Sequence, residues 1–194
     1  MTGHAFHRRR SRAGGSAVAL CCLLTAFLLC GFAKIAPAQS GSADEFEIRA
    51  AMLFNLTRFI DWPPGKMDAA HSQFVFCILG ADPIGVDLDL LLRNKTIETK
   101  PVSLRHITSI EAAGECHVLY IGAGEHKNLV RISAALEKEG VLIVSERSNL
   151  DSPDQMIGLP TVDDHVRIDV NLALTQRGGF AISSKLLHLA TVTR

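Results

Sequence analysis

The chain of 194 residues contains one Trp, one Tyr and 6% aromatic residues in all. That is too sparse for the stacking platforms on which single-stranded nucleic acids lie. It has no Cys-x-x-Cys, no His-Glu-x-x-His and no Gly-x-Ser-x-Gly. These absences exclude a thioredoxin-like exchange motif, the usual zinc-hydrolase helix and the nucleophile elbow of an α/β-hydrolase. Beyond residue 38 the histidines are His71, His106, His117, His126, His165 and His188. No two of them share a spacing typical of metal ligands. An excess of positive charge is missing as well, and a nucleic-acid partner, which calls for clustered Lys and Arg, is not expected.

What is there begins with a leader. Arg8, Arg9, Arg10 and Arg12 form a basic start, Ala17 to Phe32 an apolar stretch, and Ala36-Pro37-Ala38 a small-x-small cleavage pattern. This is the plan of a cleavable export signal over residues 1–38, and the apolar stretch is shorter than the roughly 20 residues a membrane-spanning helix needs. Five of the 20 Lys and Arg and none of the 20 Asp and Glu lie in this leader. Residues 39–194 therefore carry 15 positive against 20 negative charges, a net of −5 with His neutral. The length left, 156 residues, suits a single domain with one core. The chain is expected to be exported.

The remaining segments alternate. Residues 44–61 carry apolar residues at helical spacing (Phe46, Ala50, Leu53, Leu56, Ile60), with Asp44 as N-cap and Pro63-Pro64 as the stop. FVFCILG (74–80) is a continuous apolar run, the mark of a strand buried on both faces. Asp82-Pro83 predicts a helix start with proline in its first turn. PVSLRHI (101–107), HVLYIG (117–122) and VLIVSE (141–146) predict three more strands, with an amphipathic helix over 125–139. MIGLPTV and VRIDVN flank Asp163-Asp164-His165 as a hairpin, and FAISSKLLHLATV ends in a short helix presenting Leu186, Leu187 and Ala190. The pattern predicts a three-layer α/β sandwich with a mostly parallel sheet, closed by a C-terminal hairpin and short helix.

Cys116 and His117 stand side by side and invite a catalytic reading. Adjacent residues of one strand point to opposite faces, so the two cannot meet as nucleophile and base. Three cysteines leave with the leader, and Cys77 and Cys116 remain as a natural pair in an oxidising compartment. Cys77 sits in the first strand and Cys116 opens the third, and such strands are often neighbours across the switch point of an open sheet. A bridge closing this loop is worth about 4 kcal/mol in the chain-entropy view. Two buried free thiols, packing as small hydrophobes, are the alternative. Gly122-Ala123-Gly124 follows a strand and opens a helix, but Lys127 stands where the dinucleotide fingerprint needs its third glycine. No cofactor, metal or catalytic set is expected. Asn55 and Arg58, on the polar side of the first helix, are candidate contacts, whereas Phe54, Phe59 and Trp62 read as core.

Four blocks, IRAAMLFNLTRFIDWP (48–63), FCILGADPIG (76–85), ECHVLYIG (115–122) and RIDVNLALTQRGGFAISSKLLHLA (167–190), occur in the order of the YfiR/HmsC-like family. The chain resembles that family over nearly all of residues 39–194. The resemblance implies a periplasmic α/β repressor, not an enzyme, that binds the periplasmic domain of an inner-membrane diguanylate cyclase. It lowers cyclic-di-GMP and so restrains exopolysaccharide and biofilm. It further implies a second partner, an outer-membrane lipoprotein with a peptidoglycan-binding domain, and is compatible with a homodimer. Cys77 and Cys116 match the family's cysteine positions, while a second pair found in some members is replaced here by Asp151 and Gly158. Arg167 and Asp169, taken as outward-facing on the last strand, and Arg177 beyond it are the candidate partner contacts. A small-ligand module feeding a sensor kinase, using the sheet mouth near Gly80–Asp82 and Gly122–Gly124, is the alternative function.

Overall fold

The computed structural model describes residues 40–68, 70–147 and 154–193. The leader and Asp151 lie outside the described residues. The first element, α1 (Ser40–Leu56), continues as a 3-10 turn, Thr57–Phe59. It starts earlier than Asp44, which lies inside the helix rather than capping it. It also ends earlier than Asp61: the two prolines after Trp62 bar further helix, and β1 (Ile60–Asp61) leaves in extended form.

The chain then enters β2 (Phe74–Leu79), α2 (Gly85–Leu92), β3 (Thr96–Ile97) and β4 (Lys100–Ile107). Next come β5 (Val118–Ile121), a 3-10 turn at Ala123–Asn128, α3 (Leu129–Leu136) and β6 (Leu142–Ser145). The C-terminal third supplies β7 (Ile157–Gly158), β8 (Thr161–Val162), β9 (His165–Val166), β10 (Asp169–Asn171) and α4 (Leu172–Arg177). It closes with β11 (Ala181–Ile182), α5 (Ser184–Leu189) and β12 (Thr191–Thr193). One eight-stranded sheet has the order β12-β10-β7-β6-β5-β2-β4-β3. Only β7–β10 and β3–β4 pair antiparallel in it, so the fold is the mostly parallel α/β sandwich that the alternation predicts.

The winding explains the layers. From β2 the chain crosses through α2 to β4 on one side, and from β5 through α3 to β6 on the other. Right-handed crossovers in opposite directions place their helices on opposite faces of the sheet. The central strands are thereby covered twice, and all residues of β2, β5 and β6 are buried. That double cover is why these strands read as unbroken apolar runs. Edge-ward β4 is mostly exposed or half-buried, and α1 packs beside α2.

Two expected helix starts shift. Helix α2 begins at Gly85 with no side-chain cap; the Asp82 carboxylate lies close against Gly85 and pairs with His106 Nε2. The helix expected from Glu125 forms regular α-turns only from Leu129, after the 3-10 turn. The short strands β1, β3 and β11 were not expected, and neither were α4 and β12. Asn171 Oδ1 accepts from the Leu174 N–H at 2.9 Å and starts α4. After α5, capped by Ser183, the tail becomes β12, parallel to β10. The hairpin forms as expected, with Asp163 and Asp164 at φ 50° and 60° in its two-residue turn.

Candidate functional site

Cys77 and Cys116 are joined by a disulfide, their Cα atoms 5.9 Å apart. β2 and β5 are adjacent strands, and Cys116 follows the 3-10 turn Glu111–Glu115 that leads into β5. Both cysteines are 1% exposed, so this bridge is set inside the core rather than displayed to a redox partner.

His117 is fully buried and answers the question its neighbour raises. Its Nδ1 accepts the Val75 backbone N–H at 3.2 Å, and its Nε2–H donates to the Lys66 carbonyl at 3.1 Å. Both ring nitrogens are thus committed to backbone. Burial first, then the nearby Lys66 ammonium, lower its pKa to about 4, and the ring is neutral at physiological pH. The ring also lies 4.5 Å from the Phe74 ring, centroid to centroid. Lys66, 7% exposed, donates from Nζ to the Gly114 and Glu139 carbonyls at 2.8 and 2.9 Å. Burial lowers the Lys66 pKa, and Glu139 opposes that. Lys100 likewise donates to the Asp68 carbonyl at 2.6 Å and to that of His71. These groups gather where β2, β4 and β5 begin and pin the loop 63–73 beneath the sheet. Sequence reasoning missed Lys66 and Lys100; no motif marks a lysine whose partners are carbonyls 29 to 73 residues away.

At the opposite ends of the strands, two glycines of the mouth proposed for a small ligand are closely packed, while Gly124 faces open space. A Cβ on Gly80 would stand 2.7 Å from Glu125 Cγ, and one on Gly122 would stand 2.0 Å from the Ala81 carbonyl oxygen. Glycine at these positions serves close backbone packing rather than phosphate binding. Behind this mouth, Tyr120 is fully buried with no partner for its hydroxyl, and His126 Nε2 also lacks a hydrogen bond. The Glu146 carboxylate faces both, 3.8 Å from His126 Nε2. Burial first, then Glu146, raise the Tyr120 pKa, while burial lowers that of His126. Among the described residues there is no group of three or more His, Cys, Asp or Glu that could hold a metal.

The expected partner contacts are separated by the structure. Arg167 is exposed and lines a cleft of about 760 Å³ with Met52, Val166, His165, His188 and Leu189. Arg177 is exposed at the end of α4, 3.8 Å from Glu137. Asp169 corrects the expectation: it is 4% exposed, because its strand lies between β7 and β12 rather than at the edge. Gly158, matched to a cysteine position of the second pair, lies in β7. A Cβ there would stand 2.8 Å from the Arg147 carbonyl oxygen. Arg58 lines a second cleft of about 590 Å³ with Phe54, Trp62, Lys95 and Glu98. Asn55 is exposed, and Trp62 packs edge-on against Phe74 and Phe180.

Fold and site together define a disulfide-bridged α/β sandwich whose conspicuous polar residues hold the structure, with one cleft beside Arg58 and another beside Arg167. The YfiR/HmsC-like family model matches residues 46–191, and the chain belongs to that family. Among curated proteins, none matches the chain at a significant level.

Proposed function

We propose that the protein is a periplasmic negative regulator of cyclic-di-GMP synthesis. Residues 1–38 direct export and are removed, and residues 39–194 act as one domain. That domain binds the periplasmic part of an inner-membrane diguanylate cyclase and holds it inactive, restraining biofilm and exopolysaccharide. An outer-membrane peptidoglycan-binding lipoprotein relieves the repression by sequestering the regulator.

The observation that carries this reading is family membership across residues 46–191, which runs from α1 to β12 and includes the Arg167 cleft. The family points to a regulator in cyclic-di-GMP signalling rather than to an enzyme. Physically the task requires only differential affinity for two states of the cyclase. A preference of about 1.4 kcal/mol shifts the equilibrium tenfold, and a few kcal/mol make a usable switch. Arg167 and Arg177 present fixed positive charge on an otherwise acidic domain and are the proposed contacts. Asp169, buried in β10 two residues beyond Arg167, is not among the proposed contacts.

The test is direct binding of purified 39–194 to the isolated periplasmic domain of the cyclase, followed by calorimetry. Arg167→Glu should weaken that binding at least tenfold with the circular-dichroism spectrum unchanged. Equal affinity for the variant and the wild type would remove Arg167 from the interface, and no binding by either would remove the proposal.

A further inference from the structure

Two exposed histidines, far apart in sequence, meet in one place. The hairpin β8–β9 carries His165 and helix α5 carries His188, and both line the cleft that Arg167 opens. The turn residues Asp163 and Asp164, with left-handed backbone, fix the hairpin and so the position of His165.

The geometry shows which ring atoms are free. His165 Nδ1 lies 2.6 Å from the Asp163 carbonyl oxygen. A carbonyl only accepts, so Nδ1 holds the ring's proton and donates it. Nε2 is left as an acceptor with no partner among the described residues, and the His188 ring makes no hydrogen bond among them. Each ring can therefore take a proton without breaking a bond, unlike His117, whose two nitrogens are both committed to backbone. Histidine is the side chain that changes charge between pH 5 and pH 8.

The charges around the cleft make that change count. Its fixed charges, Arg167 and Asp163, cancel. Two protonated histidines bring the lining to +2, on a domain whose net charge is −5. Of the neighbouring charged groups, Glu45 and Arg49 on α1 pair with each other beside Thr161. Asp164 in the turn and Lys185 on α5 are of opposite sign, Asp169 of β10 is buried, and β12 brings no charge. The Arg58 cleft differs: it sets Arg58 and Lys95 against Asp61 and Glu98 and has no histidine. Beside the histidines the Arg167 cleft is apolar, with Met52 and a 74% exposed Leu189 in its lining.

We infer that this cleft is a proton-dependent dock for an acidic segment of the partner protein. With His165 and His188 protonated, three cations hold the segment's carboxylates by charge-assisted hydrogen bonds, and Met52 and Leu189 receive an apolar side chain beside them. Complementary charge of this kind sets which partner is accepted. The inference rests on the regulatory reading and adds to it the chemistry of the partner and its control by acidity.

The test measures the affinity of the oxidised 39–194 protein for the isolated periplasmic domain of the cyclase, by calorimetry at pH 8 and pH 6. Binding should be at least tenfold tighter at pH 6 and should take up protons, read from its enthalpy in two buffers of different ionisation enthalpy. The double variant His165→Gln/His188→Gln should fold to the same circular-dichroism spectrum and bind equally at both pH values. His106→Gln, exposed on β4, should keep the gain. Binding that does not strengthen at pH 6, or a gain that survives in the double variant, overturns the inference and leaves the regulatory reading standing. Absence of binding at both pH values overturns the two together.

Discussion

The base of the sheet and its C-terminal side are built to opposite rules. At the base, Lys66, Lys100 and His117 each make two hydrogen bonds to backbone groups, and the Cys77–Cys116 bridge lies among them. On the C-terminal side, Leu189 stands out in solvent, Arg167 opens a cleft and β12 leaves a strand edge bare. The residues that look most chemical in the sequence belong to the first region and are spent on holding the fold. The residues available for recognition belong to the second, where the sequence looks ordinary. Reactive side-chain types therefore mislead here, and exposure decides.

If the base is structural, damage there should cost stability and leave contacts on the other side intact. The largest effect is expected from replacing both Cys77 and Cys116 by Ser. Loss of the bridge over a sequence separation of 39 should cost about 4 kcal/mol, read from urea midpoints against the oxidised wild type. Coinciding midpoints would show the bridge to be dispensable. Next, Lys66→Met strands two buried carbonyls and should cost about 3 kcal/mol. A loss under about 1 kcal/mol would mean that water replaces the ammonium without penalty.

The third expectation concerns acidity. His117 is neutral in the fold, with a pKa of about 4 against an ordinary 6.5, so the unfolded chain binds more protons between these values. Its contribution is complete above pH 6.5 and is lost as pH falls toward 4. Between pH 7 and pH 5 it should remove about 2 kcal/mol. His117→Gln should start less stable but show a correspondingly shallower decline over that interval; an identical slope would place the titration elsewhere. The smallest effect is expected across the molecule, at Arg177. Its ion pair with Glu137 is exposed and 3.8 Å long, so Arg177→Ala should change stability by less than about 0.5 kcal/mol. A larger loss would blur the division between the two regions.

How much of this could be read beforehand follows from where the information lies. The parallel core was legible because two-sided burial leaves an unbroken apolar run, as in Phe74–Leu79. The Asp163-Asp164 turn was legible from local backbone preference. Helix α4 was missed although Asn171 supplies a cap, because six residues are too few for a 3.6-residue period to show. Strand β12 was missed because three residues after a helix carry no alternation, and only the partner β10 makes them a strand. Asp169 was assigned outward because β10 was taken as the last strand, and the unseen β12 covers it. Lys66 and His117 act through backbone carbonyls and an amide far off in sequence, and such partners have no residue type to recognise.

The central claim is that this surface, once exported, restrains a diguanylate cyclase. Cellular cyclic-di-GMP measured in a strain lacking the gene tests it most directly. The gene is then restored as wild type, as a version without residues 1–38, and as Arg167→Glu. The account predicts a rise on deletion that wild type reverses, that the leaderless form does not, and that Arg167→Glu reverses only weakly. A level unchanged by deletion, or reversed equally well by the leaderless form, would contradict it.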